Sequence, residues 1–272
     1  MRIPVSDAKA AEQHAARGTY TKEESLQERL QSSFGAKLTG RLRPRKHLLQ
    51  KRQQIQFQSK NATTTGIRKP KMIAIIDYDA GNIKSVEKAL ISLGQDVCLT
   101  RDPKVLERAD KLVLPGVGNF GVCMENLKKY GLVPVIRELT GQNKPLLGIC
   151  VGLQLLFEGS EESEGAEGLG ILKGKILRIP PAPGLKIPHM GWNSIHLQNN
   201  GRLFRGIPDQ AYVYFVHSYY LKAEDPSIVT ATAEYGVTID ASVEKGNVFA
   251  TQFHPEKSSS VGLRILKNYC EL

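Results

Sequence analysis

The clearest order in the chain begins at residue 72. Met72-Ile-Ala-Ile-Ile-Asp77 is an unbroken apolar run, the pattern of a strand buried on both faces. Turn residues follow at 78–82, and residues 83–93 repeat apolar positions at helical spacing until Gly94 stops them. The alternation continues with a strand at 96–100, a short helix opened by Asp102-Pro103 and a strand at 111–114. A helical stretch at 124–139 breaks near Gly131, and a strand at 146–149 runs straight into Cys150 and a helix at 151–157. Beyond Gly159 the segments become β-rich, at 176–179, 194–197, 212–216, 228–234 and 247–253, before a closing helix at 259–269. This order predicts an α/β fold on one mixed, mostly parallel central sheet with helices on both faces and antiparallel strands added in its second half. No internal repeat is evident.

Residues 1–71 lack a sustained hydrophobic period, so an extension without a core of its own is expected to be disordered, apart from a short helix near 20–31 where Thr21 and Glu24 are placed as a capping box. Residues 72–272 then form the single domain. The formal net charge of +10 changes meaning against this division. The first 71 residues hold 16 Lys and Arg against 5 Asp and Glu, a net of +11, and the remainder holds 21 against 22, a net of −1. The basic excess therefore says nothing about the domain's substrate. For the extension itself three readings compete: a targeting peptide, a tail for nucleic acid or an anionic surface, and an upstream stretch added by a wrongly chosen start. Glu23, Glu24 and Glu28 weigh against the first, and the third is favoured because Met72 opens a complete domain.

With 41% hydrophobic and 24% charged residues, and no apolar run near the roughly 20 residues a spanning helix needs, a membrane protein is excluded. The four cysteines, Cys98, Cys123, Cys150 and Cys270, have neither CxxC pairing nor metal-type spacing. Reduced thiols and a cytoplasmic location are the expectation, with no metal and no cofactor. Three cysteines read as packing residues; Cys150 differs.

In Gly148-Ile-Cys150-Val-Gly152 a buried strand feeds a helix through small residues, as in a nucleophile elbow. The helix start offers free N–H groups and partial positive charge that favour a thiolate. On this fragment alone a small buried cysteine is an equal reading. The second fragment, Phe253-His254-Pro-Glu256-Lys257, shifts the balance. His254 ends an apolar strand, and if the segment stays extended Glu256 lies on its side and can orient the imidazole. A lone strand-end histidine is more often structural; His-Pro-Glu together with a Gly-flanked cysteine reverses that. His47 lies in the extension, and His189 and His196 lack a paired acid. An oxyanion needs convergent N–H donors. Val151 is one candidate, and the Val117-Gly118 peptide, in the Gly-rich stretch 114–121, is the other. That stretch has neither the Lys-Ser/Thr nor the full glycine spacing of a phosphate loop.

Taken with Asp77-Tyr-Asp-Ala-Gly-Asn82, Pro115-Gly-Val-Gly-Asn-Phe-Gly121, His189-Met-Gly-Trp-Asn193, His217-Ser-Tyr-Tyr220 and His254-Pro-Glu-Lys-Ser258, these fragments resemble class I glutamine amidotransferases, with their flavodoxin-like fold. Within that class they resemble the glutaminase subunits of imidazole glycerol phosphate synthase, over essentially all of 72–272. The resemblance implies a glutaminase that passes ammonia through a tunnel to a (β/α)₈ cyclase subunit in a heterodimer of histidine biosynthesis. By matching positions it implies Cys150 as nucleophile, His254 as base and Glu256 as its orienter. It implies Gly118, Gln154, Glu162, Ser218 and Tyr219 as the holders of L-glutamine. Met190, Trp192 and Lys257 match the face that meets the cyclase. Residue chemistry leaves blander readings open: Trp192 could fill the core, Lys257 could be a solvated charge, and the aromatics of 212–217 could serve packing. The Val117-Gly118 peptide is expected to be poorly oriented until the partner is occupied. The rivals are an amidotransferase of another pathway, disfavoured by the motifs outside the triad, and an idle or nucleic-acid-binding subunit, disfavoured by the intact Cys-His-Glu set. Neither a nucleic acid nor a membrane is expected as a partner.

Overall fold

The computed structural model describes residues 71–79, 82–199 and 201–272. The expectations for residues 1–70 lie outside the described residues, as do Ala80 and Gly81 of the first turn.

The central sheet has eight strands, and its first half is parallel. β1 (Met72–Ile76), β2 (Asp96–Thr100), β3 (Lys111–Gly116), β4 (Leu146–Cys150) and, from late in the chain, β12 (Val248–Thr251) lie in the order β2-β1-β3-β4-β12. Strands β3, β4 and β12 are buried along their whole length, because helices cover both faces. The sheet continues antiparallel through β11 (Thr238–Lys245), β10 (Val229–Glu234) and β7 (His196–Leu197). Two antiparallel ribbons stand outside it: β5 (Gly174–Arg178) with β9 (Tyr219–Ala223), and β6 (His189–Ser194) with β8 (Tyr212–His217).

Right-handed crossovers decide where the helices go. The chain steps one way from β1 to β2 through α1 (Ile83–Ser92), then the other way through α2 (Pro103–Arg108), α3 (Phe120–Lys129) and α4 (Leu132–Gly141). The later group must therefore lie on the opposite face, and α4 indeed packs on α2 and α3. The last helix, α6 (Ser259–Glu271), packs beside α1. The short α5 (Val151–Leu155) follows β4 without a loop. Buried Lys111 ties α6 to β3, its ammonium donating to the Tyr269 and Leu272 carbonyls at 2.7 and 2.8 Å.

Several elements depart from the expected ones. Helix α3 starts at Phe120 rather than 124, because the Asn119 side chain accepts from Val122 N–H and caps it there. The break near Gly131 is present, with that glycine left-handed at φ 65°. The strand expected at 194–197 is two strands that part at Ile195: Ser194 still pairs with Tyr212, whereas His196 and Leu197 pair with β10. Strands β6, β9 and β11 were not anticipated. In β6 the usual alternation is inverted, with His189 buried while Met190 and Trp192 are exposed. In β11 the buried run contains Asp240 and Ser242, whose polarity masks a central strand. Each is satisfied inside: Asp240 accepts from Ala223 N–H at 2.8 Å and Ser242 donates to the Ala250 carbonyl at 2.8 Å. Strand β9 follows β8 after Ser218 alone, so the two read as one segment.

Candidate active site

Cys150 turns the chain directly from β4 into α5 at φ 57° and ψ −111°, a backbone region L residues rarely occupy. Such a corner brings neighbouring backbones into contact, and this sets the glycines. A Cβ on Gly152 would lie 1.9 Å from the Leu114 carbonyl oxygen, and one on Gly148 would lie 2.7 Å from that of Gly152. The β3 end is anchored by buried Tyr78, whose hydroxyl donates to the Pro115 carbonyl at 2.6 Å. Sequence reading missed this tyrosine because it registers only as a turn residue.

On the adjacent parallel strand, His254 follows β12 by three residues. Its Nδ1 lies 2.8 Å from Glu256 Oε1, with the two side chains 2% and 1% exposed. The route differs from the one expected: Glu256 is brought round by a 3-10 turn at Pro255–Lys257 rather than by an extended segment. The His254 backbone is clamped as well. Its N–H donates to the Tyr214 carbonyl at 2.9 Å and its carbonyl accepts from the Ser258 hydroxyl at 2.7 Å. The other ring nitrogen, Nε2, has no hydrogen-bond partner among the described residues. Burial opposes protonation of His254, but the Cys150 sulfur and the Glu256 carboxylate outweigh it and raise the imidazole to about 9.

Cys150 and His254 both open onto one cavity of about 260 Å³. The same cavity is lined by Val117, Gly118, Val151, Gln154, Glu162, Ser218 and Tyr219, bringing together residues that sequence reading drew from five separate segments. Glu256 does not line it but stands behind His254. Gly118 has φ +93°, and the preceding Val117 carbonyl accepts from the Cys123 thiol at 3.6 Å. The Glu162 carboxylate takes Phe120 N–H at 2.7 Å, joining the acidic loop to the start of α3. Buried Gln154 donates to the Tyr219 carbonyl at 3.1 Å and to the Gln252 side chain at 3.2 Å.

Four participants were not foreseen. The Gln252 amide donates toward Cys150 Sγ at 3.8 Å, and the Cys150 thiol lies 3.8 Å from the Val216 carbonyl. His217 and Pro188 complete the lining. Gln252 carried a readable signal: it is a polar residue within an apolar strand, two positions before His254.

Beside the cavity, the β6–β8 ribbon has two faces. His189, Asn193, Val213, Phe215 and His217 point inward, while Met190, Trp192 and Tyr212 are 62%, 52% and 61% exposed. Trp192 thus does not fill the core. Exposed Lys257 sits at the same surface, its ammonium 6.0 Å from the Tyr214 ring centre.

Known proteins resemble this chain at every level. The family model for glutamine amidotransferase class-I matches residues 74–271. The subunit HisH of imidazole glycerol phosphate synthase from Moorella thermoacetica is 52% identical over 200 residues, covering 74% of this chain and 94% of that protein. That from Syntrophotalea carbinolica is 50% identical over 206 residues, covering 74% of this chain and 100% of the relative. Among solved structures, a glutamine amidotransferase crystal structure superposes with a TM-score of 0.59 at 20% identity, over 73% of this chain and 97% of the other. PurLQS from Thermotoga maritima gives 0.58 at 18%, over 75% and 99%. These last two bear on the fold, and the sequence relatives bear on the branch: the chain belongs to the class I glutamine amidotransferases, in the family of HisH subunits of imidazole glycerol phosphate synthase.

Proposed function

We propose that the chain is the glutaminase subunit of imidazole glycerol phosphate synthase, with Cys150, His254 and Glu256 as its catalytic triad and a cyclase subunit as its partner in a heterodimer. The observation that carries the triad is the buried 2.8 Å contact between His254 and Glu256, with the free Nε2 of His254 on the Cys150 cavity. A carboxylate on Nδ1 fixes the tautomer and orientation of the imidazole. The Cys150 thiolate attacks the side-chain carbonyl carbon of glutamine, and the oxyanion is met by Val151 N–H and Gly118 N–H. Protonated His254 gives its proton to the departing ammonia, leaving a glutamyl thioester. Water, deprotonated by His254, then attacks the thioester; glutamate leaves and the sulfur returns as thiolate. Gly118, Gln154, Glu162, Ser218 and Tyr219 hold the substrate. No cofactor enters this cycle.

Met190, Trp192 and Lys257 form the partner-facing surface, joined by Tyr212. An exposed patch of large apolar residues is the usual mark of a docking face. Val216 belongs both to the β6–β8 ribbon and to the cavity lining, so a partner seated on the ribbon would close the cavity mouth and receive ammonia from it. The tunnel lies on that side. The Val117-Gly118 peptide turns when the partner is occupied, and free subunit is slow; equal turnover with and without the partner and its ligand would sink this. We place the protein in the cytoplasm; among the described residues no helix is long and apolar enough to cross a membrane.

The deciding experiment is reconstitution with the cyclase subunit and its ribonucleotide substrate. Cys150→Ala is expected to abolish glutamine-dependent synthesis while synthesis from ammonium salts continues. Retained glutamine hydrolysis in that variant would remove Cys150 from the reaction.

A further inference from the structure

The two buried histidines of the β6–β8 ribbon form a connected pair that the reaction above does not use. They are cross-strand partners, with His189 Nδ1 3.0 Å from His217 Nε2. His217 Nδ1 in turn lies 2.9 Å from the Tyr219 carbonyl oxygen. A carbonyl only accepts, so Nδ1 of His217 carries the proton; burial keeps the ring neutral, and its Nε2 then presents a lone pair. His189 must therefore donate from Nδ1, leaving its Nε2 to accept from the Asn193 amide at 3.4 Å. Asn193 is held in that orientation, since its oxygen accepts from Ser194 N–H at 2.8 Å and its nitrogen also donates to the Glu234 carbonyl at 3.0 Å. Every ring nitrogen is thereby assigned for a pair of neutral rings. Burial, the leading cause in both, lowers His189 to about 4 and His217 to about 3, which agrees with this assignment.

The place where this chain of donors ends gives it a purpose. Strand β8 pairs with β6 up to His217, and β9 pairs with β5 from Tyr219, so the chain changes partners across Ser218 alone. The His217 bond to the Tyr219 carbonyl spans that corner. Ser218 and Tyr219 form part of the cavity wall, and the same carbonyl takes Gln154. His189 is stacked between Phe215 and Tyr235, with ring centres 4.6 and 3.8 Å away, so it is set before it donates.

We propose that His189 and His217 are a positioning pair that fixes the Ser218-Tyr219 corner for glutamine binding, His189 selecting the tautomer with which His217 holds the Tyr219 carbonyl. The proposal rests on the glutaminase reading and deepens it.

The test uses the full chain reconstituted with the cyclase. His189→Phe keeps a ring between Phe215 and Tyr235 but cannot donate; His189→Asn keeps an N–H near the position of Nδ1. For His189→Phe the KM for glutamine rises roughly tenfold, about the worth of one buried hydrogen bond. Its kcat and the rate of Cys150 alkylation by iodoacetamide stay within about twofold, on the same scale. His189→Asn recovers most of the loss. Should His189→Phe fail to fold, His217→Leu against His217→Asn compares the KM for glutamine alone, because only asparagine can still donate to the Tyr219 carbonyl. Equal KM across the donor-less and donor-bearing variants would overturn the proposal, as would kcat, KM and alkylation declining together. Failure of the glutaminase reading looks different: the wild-type complex itself would then hydrolyse no glutamine.

Discussion

Cys150 holds a backbone conformation that costs on the order of 1–3 kcal/mol in a non-glycine residue, so its surroundings must enforce it. Gly152 does so by allowing α5 to touch the Leu114 carbonyl, where a Cβ would come within 1.9 Å. Gly152→Ala is therefore expected to push α5 off β3 and reduce glutaminase turnover by a factor of about 100 or more, the sensitivity of a reaction to displacement of about 1 Å. Ammonium-dependent synthesis by the complex reports whether the partner remains functional. At His254 the contact with Glu256 has a thermodynamic signature. Its folded pKa is raised from 6.5 to about 9, so the stability it contributes is complete below about 6.5 and is lost as pH rises through about 9. Glu256→Gln removes one source of that shift. Its unfolding free energy, measured in urea, should approach or overtake that of wild type between pH 6 and 9.5, and a pH-independent difference would contradict the ion pair. Turnover should fall by a factor of roughly 10² to 10⁴ in the same variant, since the imidazole loses its orienting carboxylate.

Among the elements, α3 shows how a cap shapes the site. Asn119 accepts from Val122 N–H at 3.2 Å and from the Ser163 hydroxyl at 3.1 Å, joining the helix start to the acidic loop that carries Glu162. Asn119→Ala should cost about 1 kcal/mol. That corresponds to a melting shift of roughly 2–4 °C for a domain of this size, readable by circular dichroism. This boundary was misplaced by four residues from the sequence because Phe120 to Cys123 continues a Gly-rich run, and a cap is recognised only when its hydrogen bond is seen. Strand β6 was missed for a different reason: its buried face carries histidine and asparagine, and its exposed face carries methionine and tryptophan. The alternation inverts where a polar network lies inside the strand pair and large apolar side chains lie outside it.

At the scale of the whole molecule, the docking surface we propose is the exposed patch of Met190, Trp192 and Tyr212. Trp192→Ala is expected to weaken cyclase binding by about 2 kcal/mol or more, as for a central aromatic anchor. Thermal unfolding of the free subunit should change little, because the indole is 52% exposed; titration calorimetry and a melt of the same sample separate the two. We also propose that the catalytic domain starts near Met72, since the family match begins at residue 74 and a relative is covered completely by 74% of this chain. Removing residues 1–70 should leave glutaminase turnover and cyclase affinity unchanged. Loss of either would give that segment a role in the complex.

The grouping of Cys150, His254 and Glu256 was legible in the chain because each is marked by its immediate neighbours: glycines at a strand-to-helix corner, and proline between a histidine and an acid. The parallel half of the sheet was legible for a similar reason, since short apolar strands and amphipathic helices are local patterns that a covered sheet imposes. Tertiary structure alone decided that β12 returns to lie beside β4, which carries His254 to Cys150 across about a hundred residues. It also decided the Tyr78 anchor, the Gln252 contact and the histidine pair. Those contacts join residues far apart in the chain, and strand pairing, which no local preference encodes, sets the distances between them.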